Sequence, residues 1–201
     1  MLYIFTGVNR LPDDFIDTCK CFLPKWRLDQ MMSYRYPSDR KLSAVAYLLL
    51  VYALKNEGLF KDLPEFGYHS NGKPFLVNYP DSYFNISHCR DAVVCFLSDR
   101  EVGVDIETVG EYDDELATAI CNDEEYQWVT ASSDLTQRAR RFTMLWTQKE
   151  SIVKWLGTGI DCDPREIKTG NLPYTQNLDF QLITDYHPVE NFYISVCKRN
   201  Q

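Results

Sequence analysis

Three short segments contain residue types at spacings that catalysis would need. The first is the sequence GVDIE at residues 103–107. Side chains of a β-strand alternate between its two faces, so Asp105 and Glu107 would share one face, and Val104 and Ile106 the other. Two neighbouring carboxylates repel each other unless a cation or proton lies between them, and such oxygen ligands suit Mg²⁺. A strand with a solvated polar face would show the same alternation, so both interpretations are open.

The second segment is WTQKESIVKWLGTG at residues 146–159. Helical periodicity places Glu150 and Lys154 on one stripe, with Lys149 next to it. Glu150 could then be a third oxygen ligand facing the strand, and the two lysines could neutralise a diphosphate. An exposed Glu–Lys pair four residues apart on a helix surface has the same spacing and is the alternative.

The third segment is NISHC at residues 85–89. Ser87 and His88 come at the end of a predicted strand, and His88 could donate a hydrogen bond to a phosphate. No Ser–His–Asp triad is predicted, because nothing places a carboxylate behind His88. A purely structural role is the alternative for a lone histidine.

The first half of the chain must position the third segment. Residues 38–57 are predicted to form a helix that Ser38 caps and Gly58 ends, since its apolar residues recur at helical spacing. Runs rich in aromatic and β-branched residues predict strands at 73–77, 83–87, 92–98 and 101–107. Only Asp99 and Arg100 separate the last two strands, a connection of hairpin length.

The second half repeats the order of a helix followed by strands. Asn122 and Glu125 form a capping-box pattern, a long helix is predicted over 134–156 with Gly157 at its end, and residues 178–184 and 191–197 are predicted to form a hairpin. The repeated order predicts an α+β fold of two similar subdomains in one chain, a pseudodimer. Each would be a small antiparallel sheet packed on a long helix, over residues 1–100 and 101–201.

Composition restricts the class of protein. The chain has 201 residues, of which 45% are hydrophobic and 25% charged, an ordinary globular balance. A net charge of −8 argues against nucleic-acid binding. Seven cysteines without a CxxC pair argue against a zinc or disulfide framework and favour reduced thiols in the cytoplasm. The start has no basic segment of a signal peptide, and no apolar run approaches the roughly 20 residues of a membrane span.

The combination and order of these segments indicate a function more specifically than any one segment does. NGKPFL, FNISHC, VGVDIE and WTQKESIVKWLGTG follow one another over residues 71–159, and AICNDEEYQWV precedes the long helix. Their order closely resembles the motifs of the 4′-phosphopantetheinyl transferase superfamily, in its larger surfactin-type branch, whose chains hold two similar subdomains. The resemblance implies Mg²⁺-dependent transfer of the 4′-phosphopantetheine group from coenzyme A to a serine of an apo acyl or peptidyl carrier protein. Adenosine 3′,5′-bisphosphate would be released.

The resemblance also implies roles for individual residues. Asp105, Glu107 and Glu150 would bind Mg²⁺, and Glu150 would also take the proton of the carrier serine. Lys154 would stabilise the diphosphate and the departing bisphosphate. The first subdomain would supply most contacts to coenzyme A, and the second the metal ligands and the catalytic helix. The residues matching coenzyme A positions are Lys25, Arg40 (at the 3′-phosphate), Lys73, Ser87, His88 and Lys149.

Two other functions are compatible with the same residues. The first is a Mg²⁺-dependent nucleotide or pyrophosphate hydrolase that uses the three carboxylates without a protein partner. The second is an inactive homologue that only binds carriers, although a pure binder has no need of buried paired carboxylates. The two-subdomain interpretation makes a cytoplasmic monomer without nucleic-acid or membrane partners the expected state.

Overall fold

The computed structural model describes residues 1–159, 162–169 and 180–200. Short 3₁₀ helices occur at Val8–Arg10, Lys20–Phe22 and Pro164–Glu166. The helices and strands follow one another as β1 (Leu2–Thr6), α1 (Phe15–Cys19), α2 (Lys25–Ser33), α3 (Pro37–Asn56), β2 (Phe66–Tyr68), β3 (Pro74–Leu76), β4 (Tyr83–His88), β5 (Ala92–Ser98), β6 (Val102–Thr108), α4 (Asp114–Ile120), α5 (Asp123–Thr130), α6 (Leu135–Leu156), β7 (Phe180–His187) and β8 (Phe192–Arg199).

The first half of the chain packs a sheet on a long helix. Strands β1, β5 and β4 form an antiparallel sheet in that order, and β2 pairs with β3 as a separate ribbon. Leu50 and Leu54 of α3 belong to one apolar core with Val93 and Cys95 of β5. Because these four side chains are almost completely buried, they contribute to the hydrophobic stabilisation of this half.

The second half repeats this arrangement with β6, β8 and β7, in that order, packed on α6. A shared core joins the two sheets, since Val94 of β5 packs in one cluster with Val104 and Ile106 of β6 and Val196 of β8. The predicted α+β class is therefore confirmed. Among the described residues, none of the helices is long and apolar enough to cross a membrane.

Most predicted elements are confirmed within a residue or two. Asn122 and Glu125 form the predicted capping box at the start of α5. Helix α6 ends at Gly157, whose φ of 71° is the left-handed conformation of a helix C-cap. The C-terminal hairpin is confirmed as β7–β8, while residues 178 and 179 of the prediction lie outside the described residues. Short elements of the first seventy residues, β1, α1 and α2, were not predicted.

Two local predictions are wrong. Ser38 does not cap α3, because the helix begins at Pro37, whose fixed φ suits the first helical position, and Tyr36 is the N-cap residue. Strands β5 and β6 do not form a hairpin, although only three residues separate them. Strand β5 is the central strand of its sheet, so β1 and β4 already occupy both of its edges, and β6 pairs with β8 instead.

The approach of β6 to α6 depends on Gly103. A Cβ atom at this position would lie 2.0 Å from the Ser151 carbonyl oxygen and 2.4 Å from the Trp155 backbone nitrogen. Backbone atoms cannot rotate away as a side chain would, so only glycine allows helix and strand to pack this closely.

We expect Gly103→Ala to lower the free energy of unfolding by about 1–3 kcal/mol, because the clash must push α6 away from β6. Urea unfolding monitored by circular dichroism measures the loss. Gly110→Ala is the matched control, since no atom lies within 4 Å of a Cβ placed there. Equal stability of the two variants would contradict the predicted close packing.

Candidate active site

Asp105 lies at the centre of a polar network between β4, β6 and α6. Its carboxylate is buried, and Oδ1 accepts hydrogen bonds from Ser87 Oγ at 2.8 Å and from Lys154 Nζ at 2.5 Å. Lys154 also donates to Ser87 Oγ at 2.9 Å. The ion pair of Lys154 is therefore with Asp105, and the alternative of an exposed Glu–Lys pair on the helix surface is wrong. The alternative of a solvated polar strand face is also wrong, because α6 covers Asp105.

Glu107 and Glu150 extend this network as a group of interacting acids. Burial and, to a smaller extent, the neighbouring Asp105 raise the pKa of Glu107 to about 7, while a hydrogen bond from Trp146 opposes the shift. Burial also raises the pKa of Glu150, with Lys154 lowering it and Asp105 raising it. The three carboxylates thus influence one another electrostatically across β6 and α6.

Glu107 should make stability depend on pH. The folded protein binds this proton more tightly than the unfolded chain, with a pKa of about 7 against 4.5, so stability falls as pH rises through this window. Glu107→Gln should therefore be more stable than the wild type by about 1–3 kcal/mol at about pH 8, and nearly equal to it near pH 4. Urea unfolding without added metal measures both differences, with the exposed Glu190→Gln as control. A difference that does not change with pH would refute the raised pKa.

The carboxylates of Asp105, Glu107 and Glu150 can be tested for their fit to a metal ion. Among the described residues, no three acidic, histidine or cysteine side chains lie close enough together to hold one. The Lys154 ammonium is instead the cation in contact with Asp105. Asp105 Oδ2, however, is buried and has no hydrogen-bond partner. A free carboxylate oxygen beside two further acids whose pKa is raised fits the oxygen ligands that Mg²⁺ prefers.

A cavity of about 810 Å³ opens beside this network. Four of the predicted site residues line it: Lys73, His88, Glu150 and Lys154. Burial and the charge of Lys154 lower the pKa of His88. The Lys73 ammonium contacts Glu101 and the Trp155 carbonyl oxygen at the end of α6. The structure thus places strand, ribbon and helix residues around one cavity large enough for a cofactor-sized ligand.

Lys149 does not reach this cavity, although the sequence placed it beside Glu150. Its side chain is only 1% exposed and forms an ion pair with the equally buried Glu125 at 2.6 Å. Its ammonium also donates to the carbonyl oxygens of Pro164 at 2.7 Å and Ile167 at 3.2 Å. Because all three donors of the ammonium have protein partners, the predicted contact to phosphate is wrong, and Lys149 instead attaches residues 164–167 to α6.

We expect Lys149→Met to lower the free energy of unfolding by about 3–5 kcal/mol, because it leaves the buried Glu125 carboxylate without its cation. Chemical denaturation measures the loss, and the exposed Lys168→Met is the control. Adding Glu125→Gln to Lys149→Met should restore part of the stability, since the uncompensated charge is then removed. A loss below about 1 kcal/mol for Lys149→Met would contradict this assignment.

The remaining predicted residues lie apart from the lining of the cavity. Lys25 is exposed at the start of α2, and Arg40 donates its Nε hydrogen to the Tyr34 carbonyl oxygen at 2.9 Å. Their contacts to coenzyme A stay predictions. Arg27 and Asn85 are among the lining residues that were not predicted. Asn85 Oδ1 accepts from the Val104 backbone N–H at 2.8 Å and so joins β4 to β6, a contact that no sequence pattern indicates.

Comparison with known proteins identifies relatives of this chain. Residues 101–197 match the model of the 4′-phosphopantetheinyl transferase superfamily. The 4′-phosphopantetheinyl transferase gsp of Aneurinibacillus migulanus is 34% identical over 158 residues, which are 75% of this chain and 63% of that protein. The 4′-phosphopantetheinyl transferase Sfp of Bacillus subtilis (strain 168) is 35% identical over 89 residues, 44% of this chain and 39% of that protein.

A fungal relative has a more specific name. The L-aminoadipate-semialdehyde dehydrogenase-phosphopantetheinyl transferase of Candida glabrata is 26% identical over 141 residues, 67% of this chain and 54% of that protein. The chain thus spans less than two thirds of the length of each of these three relatives. The matched residues 101–197 include the network of Asp105, Glu107, Glu150 and Lys154. By these matches and its α+β architecture, the chain belongs to the 4′-phosphopantetheinyl transferase superfamily and resembles its surfactin-type branch.

Proposed function

We propose that this chain transfers the 4′-phosphopantetheine group of coenzyme A to a serine of an apo acyl or peptidyl carrier protein, in a Mg²⁺-dependent reaction. The observation that supports it most is the buried Asp105, which shares Lys154 with Ser87 at the edge of a large cavity. The activity for which the relatives are named supports the same proposal. The cavity supplies room for coenzyme A, and the network supplies charges of both signs for phosphoryl transfer.

Asp105, Glu107 and Glu150 are the residues that would hold Mg²⁺. The free Asp105 Oδ2 and the raised pKa of the two glutamates support this set. The bound ion would supply positive charge for the diphosphate oxygens as negative charge develops on them. Such a cation would compete with the proton of Glu107, whose pKa is raised to about 7, so binding should be stronger at higher pH.

The residues of the chain would carry out the following proton and bond changes. Glu150 takes the proton of the carrier serine hydroxyl. The serine oxygen bonds to the β-phosphorus of coenzyme A, and the bond from that phosphorus to the bridging oxygen breaks. The bridging oxygen leaves with the electron pair as part of adenosine 3′,5′-bisphosphate. Lys154 stabilises the charge on this leaving oxygen.

The division of work between the two halves remains part of this proposal. Residues 1–100 would supply most contacts to coenzyme A through Lys73 and His88, and residues 101–201 the metal ligands and the catalytic helix. The carrier would dock on exposed apolar residues near the cavity. A cytoplasmic monomer is the proposed working state.

The decisive experiment is incubation of the purified chain with coenzyme A, Mg²⁺ and a panel of apo carrier proteins. Intact mass spectrometry should show one added phosphopantetheine group on the carrier serine, and a carrier with that serine changed to alanine is the control. Release of bisphosphate from coenzyme A without any carrier would instead support the hydrolase. Carrier binding without turnover of coenzyme A would support the inactive homologue.

A further inference from the structure

Strand β6, which carries Asp105, lies at the edge of its sheet. The order β6–β8–β7 leaves one side of β6 without a neighbouring strand, so alternate backbone N–H groups on that side need another partner. One of them belongs to Val104, which is completely buried, and it donates to Asn85 Oδ1 of β4 at 2.8 Å. A side-chain amide of the first half thus takes the place of a neighbouring strand at the residue before Asp105.

Asn85 and Ser87 hold two consecutive residues of β6. They are two positions apart on β4 and are both 7% exposed, and side chains at this spacing share one face of a strand. Asn85 accepts from the Val104 backbone, and Ser87 Oγ donates to Asp105 Oδ1 at 2.8 Å. One contact to the backbone and one to the next side chain restrict both the displacement of β6 along β4 and the rotation of the Asp105 carboxylate.

The position of β6 relative to β4 depends on such side-chain contacts. The two strands belong to different sheets, so no ladder of backbone hydrogen bonds fixes one against the other. The apolar core between the sheets, which includes Val94 and Val104, attracts them without a preferred direction. Asn85 therefore supplies a directional contact where hydrophobic packing alone would allow β6 to slide.

The free oxygen of Asp105 depends on the same contacts. Ser87 and Lys154 both bind Oδ1, which leaves the buried Oδ2 without a partner. Only two side-chain torsions separate this carboxylate from the backbone, so the direction of Oδ2 follows the backbone at residues 104–105. Asn85 carries no charge, and its effect on Asp105 is therefore one of geometry.

We propose that Asn85 is a positioning residue for the transfer of phosphopantetheine. By holding the Val104 backbone, it keeps Asp105 Oδ2 available as a ligand for Mg²⁺. The inference rests on the proposed function, in which Asp105 is a metal ligand. Removing a residue that orients a metal ligand typically costs about 10- to 100-fold in metal affinity or activity. A direct contact of Asn85 with coenzyme A is the competing role, because Asn85 also lines the cavity.

Asn85→Ala should lower kcat by about 10- to 100-fold and weaken Mg²⁺ binding by a similar factor, while KM for coenzyme A changes no more than a few-fold. Steady-state kinetics measures kcat and KM. Calorimetric titration with Mg²⁺ in the presence of coenzyme A, without a carrier, measures metal affinity in the absence of transfer.

Asn78→Ala is the matched control. The Asn78 side chain also joins two backbone segments, since it accepts from the Glu65 N–H at 3.0 Å and donates to the Leu63 carbonyl oxygen at 3.0 Å, but it does not line the cavity. This variant should lose stability in urea unfolding and keep the kcat and the Mg²⁺ affinity of the wild type. The comparison separates loss of a structural contact from loss of positioning.

Amide hydrogen exchange of the metal-free protein tests the contact itself. The Val104 amide should exchange slowly in the wild type and faster in Asn85→Ala, whereas the Glu65 amide should respond only to Asn78→Ala. Asn85→Ser covers the case in which Asn85→Ala does not fold. Its hydroxyl keeps a polar group at this place but is one atom too short to reach Val104, so it should lower kcat and Mg²⁺ affinity by about 3- to 10-fold.

The possible results distinguish this inference from the proposed function. Fast exchange of the Val104 amide in the wild type would overturn the inference without any variant. So would unchanged kcat and Mg²⁺ affinity in a folded Asn85 variant, or a raised KM for coenzyme A at unchanged kcat, which would make Asn85 a ligand contact. A wild type that modifies no carrier but binds Mg²⁺ more tightly than Asn85→Ala would overturn the proposed function and support the positioning of Asp105.

Discussion

Asp105→Ala is expected to reduce transfer of phosphopantetheine by about 10²- to 10³-fold while the protein stays folded. The change removes the oxygen that is free for a metal ion and also the partner of Lys154 and Ser87. Folding should survive, because Lys154 is 27% exposed and water can solvate its ammonium when the carboxylate is gone. The expected loss is thus one of chemistry and not of structure.

The effect of Asp105→Ala can also be measured without catalysis. Asp105 raises the pKa of Glu107 and of Glu150, so its removal should move both pKa values down toward that of an ordinary glutamate. Titration of the glutamate carboxyl carbons by NMR measures this shift. Asp185→Ala, on the exposed side of β7, is the control for general charge effects. Near-normal turnover by folded Asp105→Ala would remove Asp105 from the proposed site.

Lys154→Met should lower kcat by about 10²- to 10³-fold and change KM for coenzyme A only a few-fold. Methionine keeps much of the aliphatic stem and removes the charge. A lysine that stabilises the leaving oxygen acts mainly in the transition state, and such an interaction appears in kcat more than in substrate binding. Steady-state kinetics with a fixed carrier separates the two parameters.

The Lys154→Met experiment has a control variant and a second measurement, the pKa of His88. Lys168→Met removes an exposed lysine elsewhere and should behave as the wild type. Because the charge of Lys154 lowers the pKa of His88, Lys154→Met should raise the His88 pKa, which proton NMR can follow. A variant with unchanged kcat and a raised KM would show that Lys154 binds substrate without stabilising the transition state.

Lys149 and Lys154 show where the sequence was insufficient. The two lysines lie five residues apart on one helix, and the pattern WTQKESIVKW placed both near a diphosphate. An α-helix completes one turn every 3.6 residues, so two side chains five residues apart point in directions that differ by more than a quarter of a turn around the helix axis. Lys149 pairs with Glu125 and Lys154 with Asp105 because of the way α5 and β6 pack against α6. The local sequence does not encode this packing.

Arg27 was missed for a related reason. Helix α2 has nine residues and few buried side chains, so its apolar pattern is too weak to predict a helix or its buried face. Arg27 becomes a lining residue only because Ser43 of α3, sixteen residues later, receives its hydrogen bond. Contacts between residues far apart in sequence are set by packing, and one sequence without its fold does not reveal them.

The local features of this protein could be predicted from its sequence alone. The period of two in β6 placed Asp105 and Glu107 on one face, and the helical period of α6 placed Glu150 and Lys154 on one stripe, because these repeats follow from backbone geometry alone. The capping box and the end of α6 at Gly157 depend on residues a few positions apart and were equally predictable.

The partners that these residues contact depend on how the helices and strands pack together. Strand β6 pairs with β8 because both edges of β5 are occupied, and α6 packs on β6 and β8 so that Lys154 meets Asp105. Burial between strand and helix then raises the pKa of Glu107 to about 7, a shift that arises from removing water and bringing charges together. Desolvation and charge proximity are properties of the packed molecule, so the chemistry of the site depends on the fold even where its residues can be found in the sequence.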